Sequence, residues 1–141
     1  MTAEAEASPW EQLGGDAVME PLMADFYARI AISPIAHLFP ADLAETRQKQ
    51  FAFQSEFWGG PKRYSPWRGH PRLRARHIPF PIGQAEADAW MACMRAAVAA
   101  SAMPEGAREA FLGQVGRTAT AMINRYHEVS DADGSHEGDC Q

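Results

Sequence analysis

The sequence predicts an all-α domain, and three observations carry that prediction. Apolar residues recur at the three-and-four spacing of an amphipathic helix along several stretches. Almost no segment alternates with the period of two that a half-buried strand requires. The breaks between stretches fall on glycine and proline, which end helices. Hydrophobic residues make up 46% and charged residues 22% of the 141, so a chain this long can bury one core without disulfide or metal staples.

The elements follow in order. "PWEQL" is expected as a short first helix, ended by Gly14 and Gly15. Asp16 is expected to cap a second helix running to about Ala31, with Val18, Leu22, Phe26 and Ile30 in one stripe and Met19, Met23 and Tyr27 beside it. Pro21 lies inside that pattern and is expected to bend its first turns. "SPIAHLFP" gives one turn of helix between two prolines. "DLAETRQKQFAFQSEFW" reads as a third helix, closed by Gly59-Gly60-Pro61. The stretch "KRYSPWRGHPRLRARHIPFPIG" holds four prolines and is expected to be mostly irregular, with a short helix from Pro71 to near His77. "QAEADAWMACMRAAVAAS" carries Ala87, Trp90, Met91, Met94 and Val98 on one face. The last helix, from "PEGAREAFLGQVGRTATAMINRYH", carries Phe111, Val115, Ala119, Met122 and Tyr126. Residues 1–8 and 129–141 are small, polar and acidic and are expected to be disordered tails around a domain spanning 9–128.

Several function classes are set aside by composition. A net charge of −5 speaks against a dedicated nucleic-acid binder. No apolar run is long enough to span a bilayer, and the acidic start does not read as a signal peptide, so a cytoplasmic protein is expected. Cys93 and Cys140 have neither metal-ligand spacing nor the look of a disulfide framework. Cys93 reads as a small buried hydrophobe.

The middle stretch is the unusual part. From Phe57 to Gln84 there is no acidic residue, yet Lys62, Arg63, Arg68, Arg72, Arg74 and Arg76 fall there, nearly half of the 13 cations of an acidic chain. One reading is a solvated basic face. The sharper one is a site for an anionic ligand beside a ligating histidine, His77. On the third helix, Thr46, Gln50, Phe53 and Phe57 share a face. Polar residues on an inward face need partners. With Tyr27 and Trp90, each bringing a donor, they describe a mostly apolar pocket with a few converging polar groups, although each alone is also an ordinary core residue.

The strings "EQLGG", "DFYARI", "LFPADL", "FWGGPKRYSPWRGHPRLRARHIPFPIG" and "DAWMACMRAAV" resemble the truncated haemoglobins, specifically the second group. The resemblance covers about residues 10–126, and its central motif is long and fixed in spacing. It implies a two-over-two helical sandwich around a b-type haem, a cofactor whose iron takes an imidazole and whose propionates take cations. It makes His77 the proximal iron ligand, and Tyr27, Thr46, Gln50 and Trp90 the distal pocket. Phe39 would pack on the haem face, with Phe53 and Phe80 also lining it. Lys49, Tyr64, Arg72 and Arg76 are its candidates for the propionates. A carbonyl near the end of the short helix would accept the other imidazole N–H of His77, leaving Nε2 for iron.

The chain departs from the family pattern in three places. The stretch from Tyr27 to Phe39 is one residue short. Gln54 stands where an apolar residue is common, and Pro21 is unusual within its helix. His37 lies in the shortened corner and is not expected on the iron. The resemblance implies reversible binding of dioxygen, with nitric oxide, carbon monoxide, cyanide and sulfide also accepted, in a monomer or homodimer with a possible reductase partner. Two other readings stay open. One is redox catalysis at the same haem, by peroxide reduction or nitric oxide dioxygenation; the lack of a pocket histidine suited to acid–base work counts against a dedicated peroxidase. The other is a haem-free helical interaction domain, which leaves the basic stretch unexplained.

Overall fold

The computed structural model describes residues 7–69 and 80–124. The expected N-terminal tail falls almost wholly outside the described residues. The helix from Pro71 to His77, the packing of Tyr126 and the acidic C-terminal tail lie outside them altogether. Among the described residues every regular element is helical.

Helix α1 spans Pro9–Leu13 and starts on a reciprocal cap, in which Ser8 Oγ accepts the Glu11 N–H and the Glu11 carboxylate accepts the Ser8 N–H. It ends at Gly14, whose φ of 114° lies in the left-handed region and whose missing Cβ would stand 2.3 Å from Val18 Cγ2. Helix α2, Gly15–Ala31, follows with Gly14 alone between the two helices and runs on through Pro21. The expectation for Asp16 therefore needs correction. The helix begins on Gly14 with no side-chain cap, which places Asp16 inside the first turn. Its carboxylate instead accepts the Trp10 indole N–H at 3.0 Å and pairs with Arg63 at 2.7 Å, tying α1, α2 and the chain after α3 together.

A single 3₁₀ turn, Ala36–Leu38, leads toward helix α3, Ala44–Phe57, where Asp42 accepts the Ala44 N–H at 3.0 Å. Helix α3 is closed by Trp58 and by Gly59, whose φ is 84°. The next glycine has a different reason: a Cβ on Gly60 would lie 2.6 Å from the Trp10 ring, so only glycine lets α1 seat there. The irregular stretch contains one turn that periodicity does not reveal, α4, Ser65–Arg68. Glu56 reaches over from α3 to cap it, accepting the Tyr64 and Ser65 N–H groups and the Ser65 hydroxyl. Those bonds, the Ser65 hydroxyl foremost, hold its carboxyl below the usual range.

Helices α5, Gln84–Ala100, and α6, Glu105–Ala121, complete the described chain. Two helix pairs result, α2 with α3 and α5 with α6, and α2 lies against α5 to join them. Met19, Met23, Phe26 and Ile30 of α2, Met94, Ala97 and Val98 of α5, Phe111 and Val115 of α6 and Trp10 and Leu13 of α1 belong to one buried cluster. The stripes expected for α2, α5 and α6 are largely the ones buried, except that Val18, Trp90, Met91 and Ala119 are only partly covered.

Candidate functional site

Helix α3 is seated on the core by residues outside its aromatic stripe. Its buried residues are Ala52, Gln54 and Ser55. Thr46, Gln50 and Phe53 are half-buried, and Phe57 is 52% exposed although apolar. The stripe is thus only partly covered, and Phe53 meets Phe57 at 5.9 Å and Tyr64 at 5.7 Å along it. An aromatic face left half-covered by the described helices is what a flat apolar cofactor requires.

Behind that face stand two donors. Tyr27, on α2, is 4% exposed. Burial pushes its hydroxyl up to about 12, against the lowering effect of the hydrogen bond from Gln50, so it remains an O–H at neutral pH. The hydroxyl oxygen accepts from Gln50 Nε2 at 3.4 Å, and the hydroxyl hydrogen has no acceptor among the described residues. Trp90, on α5, is half-buried; its ring and that of Tyr27 both stand edge-on to Phe26, at 4.9 and 4.6 Å. The indole N–H groups of Trp10 and Trp58 are matched to side-chain oxygens. That of Trp90 meets no acceptor among the described residues. Phe39, just past the 3₁₀ turn, is partly buried with its ring 6.2 Å from that of Tyr27.

Other expected site residues are placed as follows. Lys49 is half-buried and forms no ion pair among the described residues. Tyr64 is 4% exposed and packs against Phe53 rather than reaching outward. Phe80 is 43% exposed, and its carbonyl accepts from Asn124. His37 is exposed on its turn. His77, Arg72 and Arg76 lie outside the described residues.

Two of the cations that looked like one basic face are committed elsewhere. Arg63 pairs with Asp16 and stacks over Phe51 at 4.9 Å. Arg68 lies 3.9 Å from Glu45 and over the Trp67 ring at 5.7 Å. An anionic ligand in this region is therefore left to the other cations.

Sequence reasoning noticed Gln54 only as a departure and gave it no role. It is 2% exposed and fully engaged: its Oε1 accepts the Trp58 indole N–H at 3.0 Å and its Nε2 donates to Gln50 Oε1 at 2.9 Å. The signal was present in the spacing, since 50, 54 and 58 are successive i, i+4 positions, each with a group able to bond to the next.

The residue set fits a haem on the described side: a half-covered aromatic face, the Tyr27 hydroxyl with the Gln50 amide on its oxygen, and the Trp90 indole on the other side of Phe26. Comparison with known proteins agrees. Residues 8–124 match the family model described as bacterial-like globin. The chain is 40% identical over 119 residues to the group 2 truncated hemoglobin YjbI of Bacillus subtilis, covering 84% of this chain and 89% of that one. The crystal structure of the group II truncated hemoglobin from Bacillus anthracis superposes with a TM-score of 0.85 at 36% identity, covering 91% of this chain and 99% of that one. The truncated oxygen-avid haemoglobin from Bacillus subtilis does so at 0.80 and 40% identity, covering 84% of this chain and all of that one.

Proposed function

The chain belongs to the bacterial-like globins, as a group II truncated haemoglobin with the two-over-two helical fold, and from that premise we propose that it holds a b-type haem on His77 and binds dioxygen reversibly. When bound, the haem supplies an iron at which a diatomic gas coordinates and gains partial negative charge.

The chain's own residues do the rest. Helices α2 and α5 present Tyr27 and Trp90 as donors, and a donor-only indole stabilises a ligand atom bearing negative charge while accepting nothing in return. Phe39 and Phe53 supply apolar cover that keeps bulk water from competing for those donors. Lys49, Arg72 and Arg76 are the cations offered to the propionates, and Thr46 stands on the pocket side of α3 with Gln50. Phe80 and Tyr64 complete the apolar rim. The same pocket admits nitric oxide and carbon monoxide.

One observation carries this reading: Tyr27 and Trp90 flank one phenylalanine, and neither N–H nor O–H has an acceptor among the described residues. A donor without a partner among the described residues is available to a bound ligand that can accept from it. The oxygen avidity named for the Bacillus subtilis relative is consistent with such a pocket.

The test is haem titration of the purified protein, followed by dioxygen dissociation from the ferrous form. A one-to-one Soret band with slow dioxygen release supports the reading. Absence of any Soret band overturns it in favour of a haem-free helical module. Rapid turnover of peroxide or nitric oxide with a reductant, in place of stable dioxygen binding, assigns the same haem to redox catalysis.

A further inference from the structure

Four side chains form one directed line. The Trp58 Nε1–H donates to Gln54 Oε1 at 3.0 Å, Gln54 Nε2 donates to Gln50 Oε1 at 2.9 Å, and Gln50 Nε2 donates to Tyr27 Oη at 3.4 Å. A glutamine amide can face either way, because its oxygen accepts and its nitrogen donates. An indole cannot, since it carries a donor and no acceptor. Trp58 therefore forces Gln54 to turn its oxygen toward it and its nitrogen toward Gln50. Gln50 must then present its oxygen to Gln54 and its nitrogen to Tyr27.

We infer that Trp58 and Gln54 are positioning residues that set the direction of this line, so that the Tyr27 oxygen is held as an acceptor and its hydrogen is delivered to the ligand. The inference rests on the ligand-binding reading above and adds two residues that do not touch the ligand.

The surroundings hold the line in place. Trp58 is fixed through its backbone carbonyl, which accepts the Trp10 backbone N–H at 2.8 Å, and through its ring, tilted against Phe111 at 6.2 Å. Gln54 is 2% exposed, so water does not compete for its amide. Without Gln54, the Gln50 amide is free to turn over. Its oxygen would then accept the Tyr27 hydrogen, and the ligand would lose that donor.

The experiment uses Gln54→Leu and Trp58→Phe, each alone and combined with Tyr27→Phe. The first readout, on the protein as purified, is the Trp58 indole N–H in ¹⁵N-resolved spectra; Gln54→Leu is expected to shift it and speed its exchange with solvent. The second is dioxygen dissociation from the haem-loaded ferrous protein. Each single variant is expected to release dioxygen about 2- to 10-fold faster, the span of one net hydrogen bond. In the Tyr27→Phe background the same substitutions are expected to change nothing, because the effect passes through the Tyr27 hydroxyl.

An indole N–H indifferent to Gln54→Leu overturns the line itself. An equal acceleration with and without Tyr27 overturns the positioning role and leaves packing. A protein that takes up no haem, yet keeps the indole response, removes the ligand-binding reading and this inference with it, while showing that the hydrogen-bonded line exists.

Discussion

Replacing Trp90 with phenylalanine separates the donor from the ring. The tryptophan ring sits edge-on to Phe26 at 4.9 Å, and a phenylalanine can keep an edge contact there while losing the N–H. The indole N–H meets no acceptor among the described residues, so its removal costs no internal hydrogen bond on that side. What is lost is the bond to a ligand that carries partial negative charge. Such bonds contribute about 1.5–3 kcal/mol. At about 1.4 kcal/mol per factor of ten, Trp90→Phe is expected to raise the dioxygen dissociation rate by roughly 10- to 100-fold. Carbon monoxide accepts hydrogen bonds poorly and is expected to leave at nearly its original rate. The assay is stopped-flow dissociation of both gases from the ferrous protein, with urea melting to confirm that the fold is retained. Acceleration of both gases by one common factor would refute the reasoning, because it would mean that the ring controls access or packing and that its N–H is incidental.

The remaining predictions concern the iron, an ion pair and an orphaned acceptor. His77→Ala is expected to abolish stable haem binding, or to leave a loosely held haem that added imidazole restores; an unchanged Soret titration and ferrous spectrum would count against His77 as the ligand. Arg63 beside Asp16, aided by the Trp10 N–H and opposed by desolvation, holds the Asp16 carboxyl below its usual value. The stabilisation is therefore full above the ordinary carboxyl value of about 4 and is lost as pH falls through the lower folded value. Asp16→Asn is accordingly expected to lower stability by less than about 1 kcal/mol at pH 7, since the pair is largely exposed, and the gap from the parent protein in urea midpoints is expected to close as pH falls well below that range. Gln114 is 5% exposed, and its Oε1 is buried with no hydrogen-bond partner among the described residues. Gln114→Leu removes that unmet acceptor, which stabilises by about 1 kcal/mol or more, and also the bond from Gln114 Nε2 to Thr118 Oγ1 at 3.0 Å, which costs about 1 kcal/mol. The urea midpoint is therefore expected to stay unchanged or rise slightly, and a clearly lower midpoint would show that the oxygen is not an unmet acceptor.

What the sequence disclosed and what it did not divide along one physical line. Periodicity reports which side of a helix meets apolar surface, so α2, α5 and α6 were legible to within a few residues, and the α3 stripe of Thr46, Gln50 and Phe53 was legible as a face. It was silent on which of two apolar sides is the core. On α3 the conspicuous aromatics are only partly covered, and Ala52, Gln54 and Ser55 seat the helix. That assignment depends on what lies opposite, and small or polar residues at a close contact leave no hydrophobic signal. The same limit explains Asp16. Its composition fits a cap, but Gly14 already turns the chain at a φ of 114°, which frees the carboxylate to bind Trp10 and Arg63 from elsewhere in the chain. It also explains α4, a single turn whose cap, Glu56, comes from another helix. The family motif located the pocket because it is a record of partners rather than of periodicity. It passed over Gln54 for that reason: the residue departs from the motif, and the bonds it makes to Trp58 and Gln50 are visible only in the folded chain. A polar side chain that interrupts an apolar pattern is costly to bury unmatched, so its presence implied a bond, and the donor-only indole four residues on was the group able to make it.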